Sequence, residues 1–177
     1  MKINVGHIPE DGLNLQFDKD GAWFHHALPE KEKTEFSLQK ADVSCSVRKL
    51  KDTVIIEGSL ETVVATTCCR CLEATQYPVK SNFRYTLIPA AKEFKEEQEL
   101  SSEDLEYSFF YEDDLIDLDA ILFEQIMLHI PMRVLCKESC KGLCPHCGKD
   151  LNTESCDCRT LFVDDRLAVL KKLKKEE

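Results

Sequence analysis

A chain of 177 residues, 43% of them apolar, can bury one sizeable core, yet no apolar run nears the roughly 20 residues of a membrane-spanning helix. The formal net charge of −10 and a pI of about 5.0 exclude broad, sequence-independent nucleic-acid binding, which depends on cations neutralising phosphates. The acidity is local: residues 91–119 hold two lysines against twelve carboxylates, whereas residues 131–177 hold ten Lys/Arg and eight Asp/Glu.

The N-terminal stretch MKINVGHIPEDGLNL has no basic segment leading into an apolar one, as a secretory signal would. A cytoplasmic protein with reduced thiols is therefore expected. Turn signals at Asp11-Gly12 and Asp18–Gly21 break the first 40 residues into one or two short strands with loop. From Ala41 to Ala90 the period is two. Val43, Cys45 and Val47 alternate with polar neighbours, Thr53–Glu57 is a β-branched run ending at Gly58, and Thr62–Thr67 is similar. Phe83, Tyr85 and Leu87 continue the alternation, and the whole reads as an antiparallel meander.

Residues 91–107, AKEFKEEQELSSEDLEY, break the pattern and predict a solvated acidic loop, about 91–115 at its widest. The acids of 91–119 also offer a face to a basic protein partner. After the loop, Tyr111–Met132 reads as a helix, with Leu118, Ile121, Leu122 and Gln125 on one side. Asp117 or Asp119 caps it and Pro131 ends it. The tail DDRLAVLKKLKKEE predicts a second helix capped by Asp164 or Asp165, with lysines near its end.

Ten cysteines in a reducing compartment argue for metal rather than disulfides. Cys144-Pro145-His146-Cys147-Gly148 has the form of a zinc knuckle, and Cys156 and Cys158 supply an opposing pair. Four thiolates would close a structural zinc site with no position open to substrate. Cys136 and Cys140 can face Cys68 and Cys71 across a second zinc site, which would tie the sheet to the C-terminal module. Cys45 reads as a small core residue, and Cys69, inside the Cys68–Cys71 pair, as pointing away from the metal. His146 reads as a solvent-facing loop residue, and His129 as a partner of the last helical carbonyls.

The rival chemistry is a thiol redox or metal-handling protein in which Cys68 and Cys71 cycle, although the βαβ setting of such a dithiol is missing. No nucleophile–base arrangement, phosphate-binding Gly-rich loop or paired carboxylates on a defined scaffold is present, so an enzyme is not expected. A DNA-binding zinc module fits poorly with the acidic pI and the lack of a basic recognition helix.

Several of these pieces stand in a recognisable order. Cys68-Cys69-Arg70-Cys71-Leu72, Ile116-Asp117-Leu118, Leu128–Met132 (LHIPM), Cys140–Cys147 (CKGLCPHC), Gly148–Asn152 (GKDLN) and Arg166–Leu173 (RLAVLKKL) together resemble the bacterial YceD family over about residues 41–177. The doubled cysteine at Cys68-Cys69, and Asp165 where many relatives carry proline, depart from the usual pattern. The resemblance implies a non-catalytic role in large ribosomal subunit biogenesis, supporting accumulation of its rRNA. The partner would be a large-subunit rRNA precursor or a large-subunit ribosomal protein, with no DNA and no membrane. Arg70 is either a guanidinium that satisfies nearby carbonyls or thiolates, or an RNA phosphate contact. The tail lysines Lys171, Lys172, Lys174 and Lys175 are further contact candidates.

The expected architecture is α+β: an antiparallel sheet, open or barrel-like, with a packed helix in residues 1–130. Residues 131–177 would form a cysteine-rich, zinc-binding module with a C-terminal helix.

Overall fold

Period-two alternation builds most of the molecule. In the computed structural model, which describes residues 1–90 and 109–158, the chain begins with β1 (Lys2–Asn4), a 3-10 turn (Val5–His7), β2 (Leu13–Asp20) and α1 (Gly21–Ala27). Three long strands follow: β3 (Ser37–Leu50), β4 (Thr53–Thr67) and β5 (Ala74–Pro89). Two short strands, β6 (Phe109–Tyr111) and β7 (Leu115–Asp117), lead into α2 (Leu118–His129).

Strands β2 to β5 form an antiparallel meander, and β6 adds to β5 in parallel. The order β2-β3-β4-β5-β6 is linear with β2 and β6 at its ends, so the sheet does not close into a barrel. A separate pairing of β1 with β7 ties the start of the chain to the entrance of α2.

Alternation sends Val43, Cys45 and Val47 to the covered face of β3, and Phe83, Tyr85 and Leu87 to that of β5. Phe24 of α1 and Leu118, Leu122 and Ile126 of α2 complete this core. The rings of Phe24 and Phe123 lie 5.7 Å apart, so the two helices meet over the same face. A polar bridge docks α2 on β5: the Ser81 hydroxyl donates to Gln125 Oε1 at 2.8 Å, and Gln125 Nε2 donates to the Tyr85 hydroxyl.

Several expectations change. A helix of seven residues occupies Gly21–Ala27, where only strand and loop were expected. Its cause is local: Asp20 accepts from the Trp23 N–H at 2.8 Å and starts the turn. Gly58 does not end a strand, because β4 runs through it. A Cβ there would lie 2.7 Å from both Cys45 Cβ and Phe83 Cζ and 2.8 Å from the Ser44 carbonyl, so only glycine lets three strands approach this closely.

The helix α2 starts at Leu118 rather than Tyr111, since residues 109–117 form β6, a turn through Asp113 and Asp114, and β7. Asp117 is its N-cap, accepting from the N–H groups of Asp119 and Ala120, and the helix stops before Pro131. Most of the expected acidic loop (91–108), and the segment 159–177 that includes the expected tail helix and its four lysines, lie outside the described residues.

Candidate metal centre

The Cys68–Leu72 element sits in the turn joining β4 to β5. Cys68 N–H donates to the Glu73 carbonyl at 2.8 Å and Leu72 N–H to the Cys68 carbonyl at 3.0 Å, and Leu72 takes a φ of 61° to complete the reversal. This turn is stitched to the C-terminal segment. Cys69 N–H donates to the Val134 carbonyl at 2.9 Å, Leu143 N–H to the Arg70 carbonyl at 3.0 Å, and Arg70 Nη1 to the Cys140 carbonyl at 2.7 Å. Gly142, at φ 76°, lies against Arg70, where a Cβ would come within 3.0 Å of the Arg70 carbonyl oxygen.

Two groups of four thiols result: Cys68, Cys71, Cys136 and Cys140, and Cys144, Cys147, Cys156 and Cys158. Within each group the sulfurs all lie within 4.8 Å of one another. In the first, Cys68 Sγ is 3.8 Å from Cys140 Sγ, and Cys71 Sγ is 3.6 Å from Cys136 Sγ. Sulfurs at the corners of a tetrahedron with metal–sulfur bonds of about 2.3 Å sit about 3.8 Å apart, so this spacing fits one soft cation. A disulfide needs about 2.05 Å. Each group can hold a metal ion, and neither leaves a fourth position for substrate.

Each group contains one readily ionised thiol. Backbone N–H groups of Cys136 and Cys71 around its sulfur bring Cys68 down to about 6. The N–H groups of Cys147 and His146 do the same for Cys144, again to about 6. The opposing thiols move the other way. Burial and then the neighbouring Cys71 sulfur push Cys136 up to about 12, and the Cys147 sulfur and then burial push Cys158 up to about 12. Four mutually repelling sulfurs with N–H donors turned toward one of them form an environment that a cation would relieve.

The second group is folded by its own loop. Cys144 N–H donates to the Lys149 carbonyl at 2.8 Å, Gly148 N–H to the Cys144 carbonyl at 2.9 Å, and Leu151 N–H to the Gly142 carbonyl at 2.9 Å. Gly148 takes a φ of 72°, the left-handed position such a knuckle requires.

Cys45 is buried in the sheet core and its thiol is raised by burial. Cys69 is exposed and belongs to neither group, and His146 is exposed on its loop. His129 Nδ1 donates to the Gln125 carbonyl at 2.8 Å. Arg70 makes the carbonyl contact of its structural reading, although it remains exposed. One site residue escapes a reading by ligand spacing: Asn152, whose Nδ2 lies 3.5 Å from Cys140 Sγ. Its only sequence signal is its place in the GKDLN string. Among the described residues no helix is long and apolar enough to cross a membrane.

The family model described as "Large ribosomal RNA subunit accumulation protein YceD" matches residues 56–174, a stretch that contains both groups of four cysteines. The chain is 29% identical over 137 residues to the Arabidopsis thaliana protein named "Large ribosomal RNA subunit accumulation protein YCED homolog 1, chloroplastic", covering 66% of this chain and 43% of that one. It is 34% identical over 111 residues to the protein YlbN of Bacillus subtilis (strain 168), covering 62% of this chain and 60% of that one. A Mycobacterium tuberculosis protein is 27% identical over 120 residues, or 64% and 52% of the two chains. The chain thus spans about half the length of the curated relatives it matches. No solved structure matches it.

Proposed function

The chain belongs to the YceD family, and on that premise we propose that it is a non-catalytic factor in large ribosomal subunit biogenesis, supporting accumulation of the subunit's rRNA. The family match carries this reading. In it, zinc held by Cys68, Cys71, Cys136 and Cys140 and by Cys144, Cys147, Cys156 and Cys158 is structural. Zinc would supply cross-links between loops that have little apolar surface of their own, and four thiolates per ion leave it no role as a Lewis acid.

In this reading residues 131–177 act as one zinc module fastened to the 1–130 core through the β4–β5 turn. Arg70 positions that module, since it donates to the Cys140 carbonyl. Contact with a large-subunit rRNA precursor or a ribosomal protein falls to the module, with Lys171, Lys172, Lys174 and Lys175 meeting anionic RNA.

The test is sedimentation of the tagged protein in a low-salt lysate. Migration with free large subunits or their precursors, and absence from mature ribosomes, is expected. Reversing the charge of the four lysines should weaken that association and flatten its salt dependence. A protein found only at the top of the gradient, with native thiols alkylated rapidly whether or not a chelator is present, would overturn both the ribosomal and the structural-zinc readings in favour of thiol chemistry.

A further inference from the structure

The two thiol groups are neighbours in the fold and share one side chain. Asn152 lies in the loop between Cys147 and Cys156 of the second group, yet its amide serves the first. Asn152 Nδ2 donates to Asp150 Oδ1 at 2.7 Å and faces Cys140 Sγ at 3.5 Å. Asn152 Oδ1 accepts from the Lys141 N–H, next to Cys140, at 2.8 Å. Its own N–H donates to Asp150 Oδ1 at 2.9 Å, and the adjacent Leu151 N–H donates to the Gly142 carbonyl at 2.9 Å.

We infer that Asn152 couples the two sites, so that zinc in the Cys144/Cys147/Cys156/Cys158 site strengthens zinc binding in the Cys68/Cys71/Cys136/Cys140 site. The inference rests on the zinc reading above. The second site is built from one short stretch, whereas the first must bring Cys68 and Cys71 to Cys136 and Cys140, which are more than 60 residues away along the chain. The local site therefore closes first.

Closing it fixes the loop that carries Asn152, and the amide then stands ready at Cys140. Once that sulfur is a metal-bound thiolate, a charge-assisted N–H bond spreads part of its negative charge. Donors of this kind change metal affinity by about 10–100-fold. Linkage makes the effect reciprocal: zinc in the first site tightens the second by the same factor.

The isosteric change Asn152→Asp removes the amide donor to Cys140 and also its bond to Asp150 Oδ1, so protection of the second site's own cysteines is the control that its loop still closes. Asp keeps an oxygen for the Lys141 N–H, loses the N–H donor and places a carboxylate beside the thiolates. Zinc is titrated into the metal-free full chain and followed by native mass spectrometry. At one equivalent, the parent should hold a smaller one-zinc fraction than N152D, because its coupled second ion follows the first more readily. N152D should accumulate the one-zinc form, with Cys144, Cys147, Cys156 and Cys158 protected from alkylation and the other four reactive. A second variant, Cys156→Ser with Cys158→Ser, should bind zinc at its intact first site about tenfold more weakly than the parent.

An N152D distribution equal to the parent's, or undiminished affinity in the double serine variant, would overturn the coupling while leaving two structural zincs in place. A parent that takes up fewer than two zincs removes the zinc reading and the coupling with it.

Discussion

Leu72 holds a φ of 61°, a left-handed conformation in which an L side chain crowds the following carbonyl, and its side chain is 66% exposed. The turn between Cys68 and Glu73 needs that reversal, so the strain belongs to the placement of Cys68 and Cys71 and not to burial of the leucine. Leu72→Gly should therefore stabilise the protein by about 0.5–1 kcal/mol in urea denaturation, glycine's greater unfolded freedom offsetting part of the relief. A loss of stability would show instead that the leucine packs on something essential. Arg70, two residues earlier, is bound at both ends: its carbonyl takes the Leu143 N–H and its guanidinium reaches the Cys140 carbonyl.

Among the elements, β4 has neighbours that leave little room for change at its middle. Gly58 faces Cys45 and Phe83 with no room for a methyl group, so Gly58→Ala must push apart three strands. A loss of about 2–3 kcal/mol is expected from denaturant midpoints at unchanged slope. A loss under about 0.5 kcal/mol would mean that the strands can separate freely there. The same residue shows where reading the sequence stops short. Glycine weakens an isolated strand, and nothing local reveals that two partner strands close over it, so β4 looks like two pieces. The alternation of β3 and β5 was legible because each side chain's face depends only on its own neighbours. Helix α1 was not, since seven residues with one capping aspartate carry too little periodicity. The cysteine groups were legible because ligand spacing is a local constraint. The turn that presents Cys68 and Cys71 was not, because Cys-Cys-Arg-Cys-Leu contains none of the residues that announce a reversal.

At the scale of the whole molecule, two different devices hold the chain's distant parts. At one end, β1 pairs with β7, and Asp119 at the head of α2 meets both the Met1 amino group and Lys19, the latter at 2.6 Å. Burial works to raise the Asp119 carboxyl, but the hydrogen bonds from Lys19 and the amino group outweigh it, leaving its pKa below the ordinary value. A depressed carboxyl contributes stability that is present above about pH 4 and is lost as pH falls through the folded pKa. Asp119→Asn should therefore cost on the order of 1 kcal/mol at pH 7 and less at pH 3. Equal losses at both pH values would remove the charge from the explanation.

At the other end, the core of the sheet forms a cluster of its own, apart from the thiol groups. This core is apolar and continuous from β3 through β5 to both helices, whereas the thiol groups touch it only at the tip of the β4–β5 turn. Residues 131–158 bury little beyond Val134, the partly covered Leu135 and Leu143, and some of the cysteines. On the proposed zinc reading, chelation should then divide the molecule rather than denature it. In hydrogen exchange with a strong zinc chelator, the amides of Cys69, Lys141, Leu143 and Leu151, whose partners bridge or close the metal loops, should lose protection. The ladder joining β3 to β4 should keep its protection, because its strands are paired along their length and packed beneath α1 and α2. Simultaneous loss of protection in both regions would mean that the metal loops and the sheet fold as one unit, and the turn at Cys68–Cys71 would then be a fold-determining joint rather than a point of attachment.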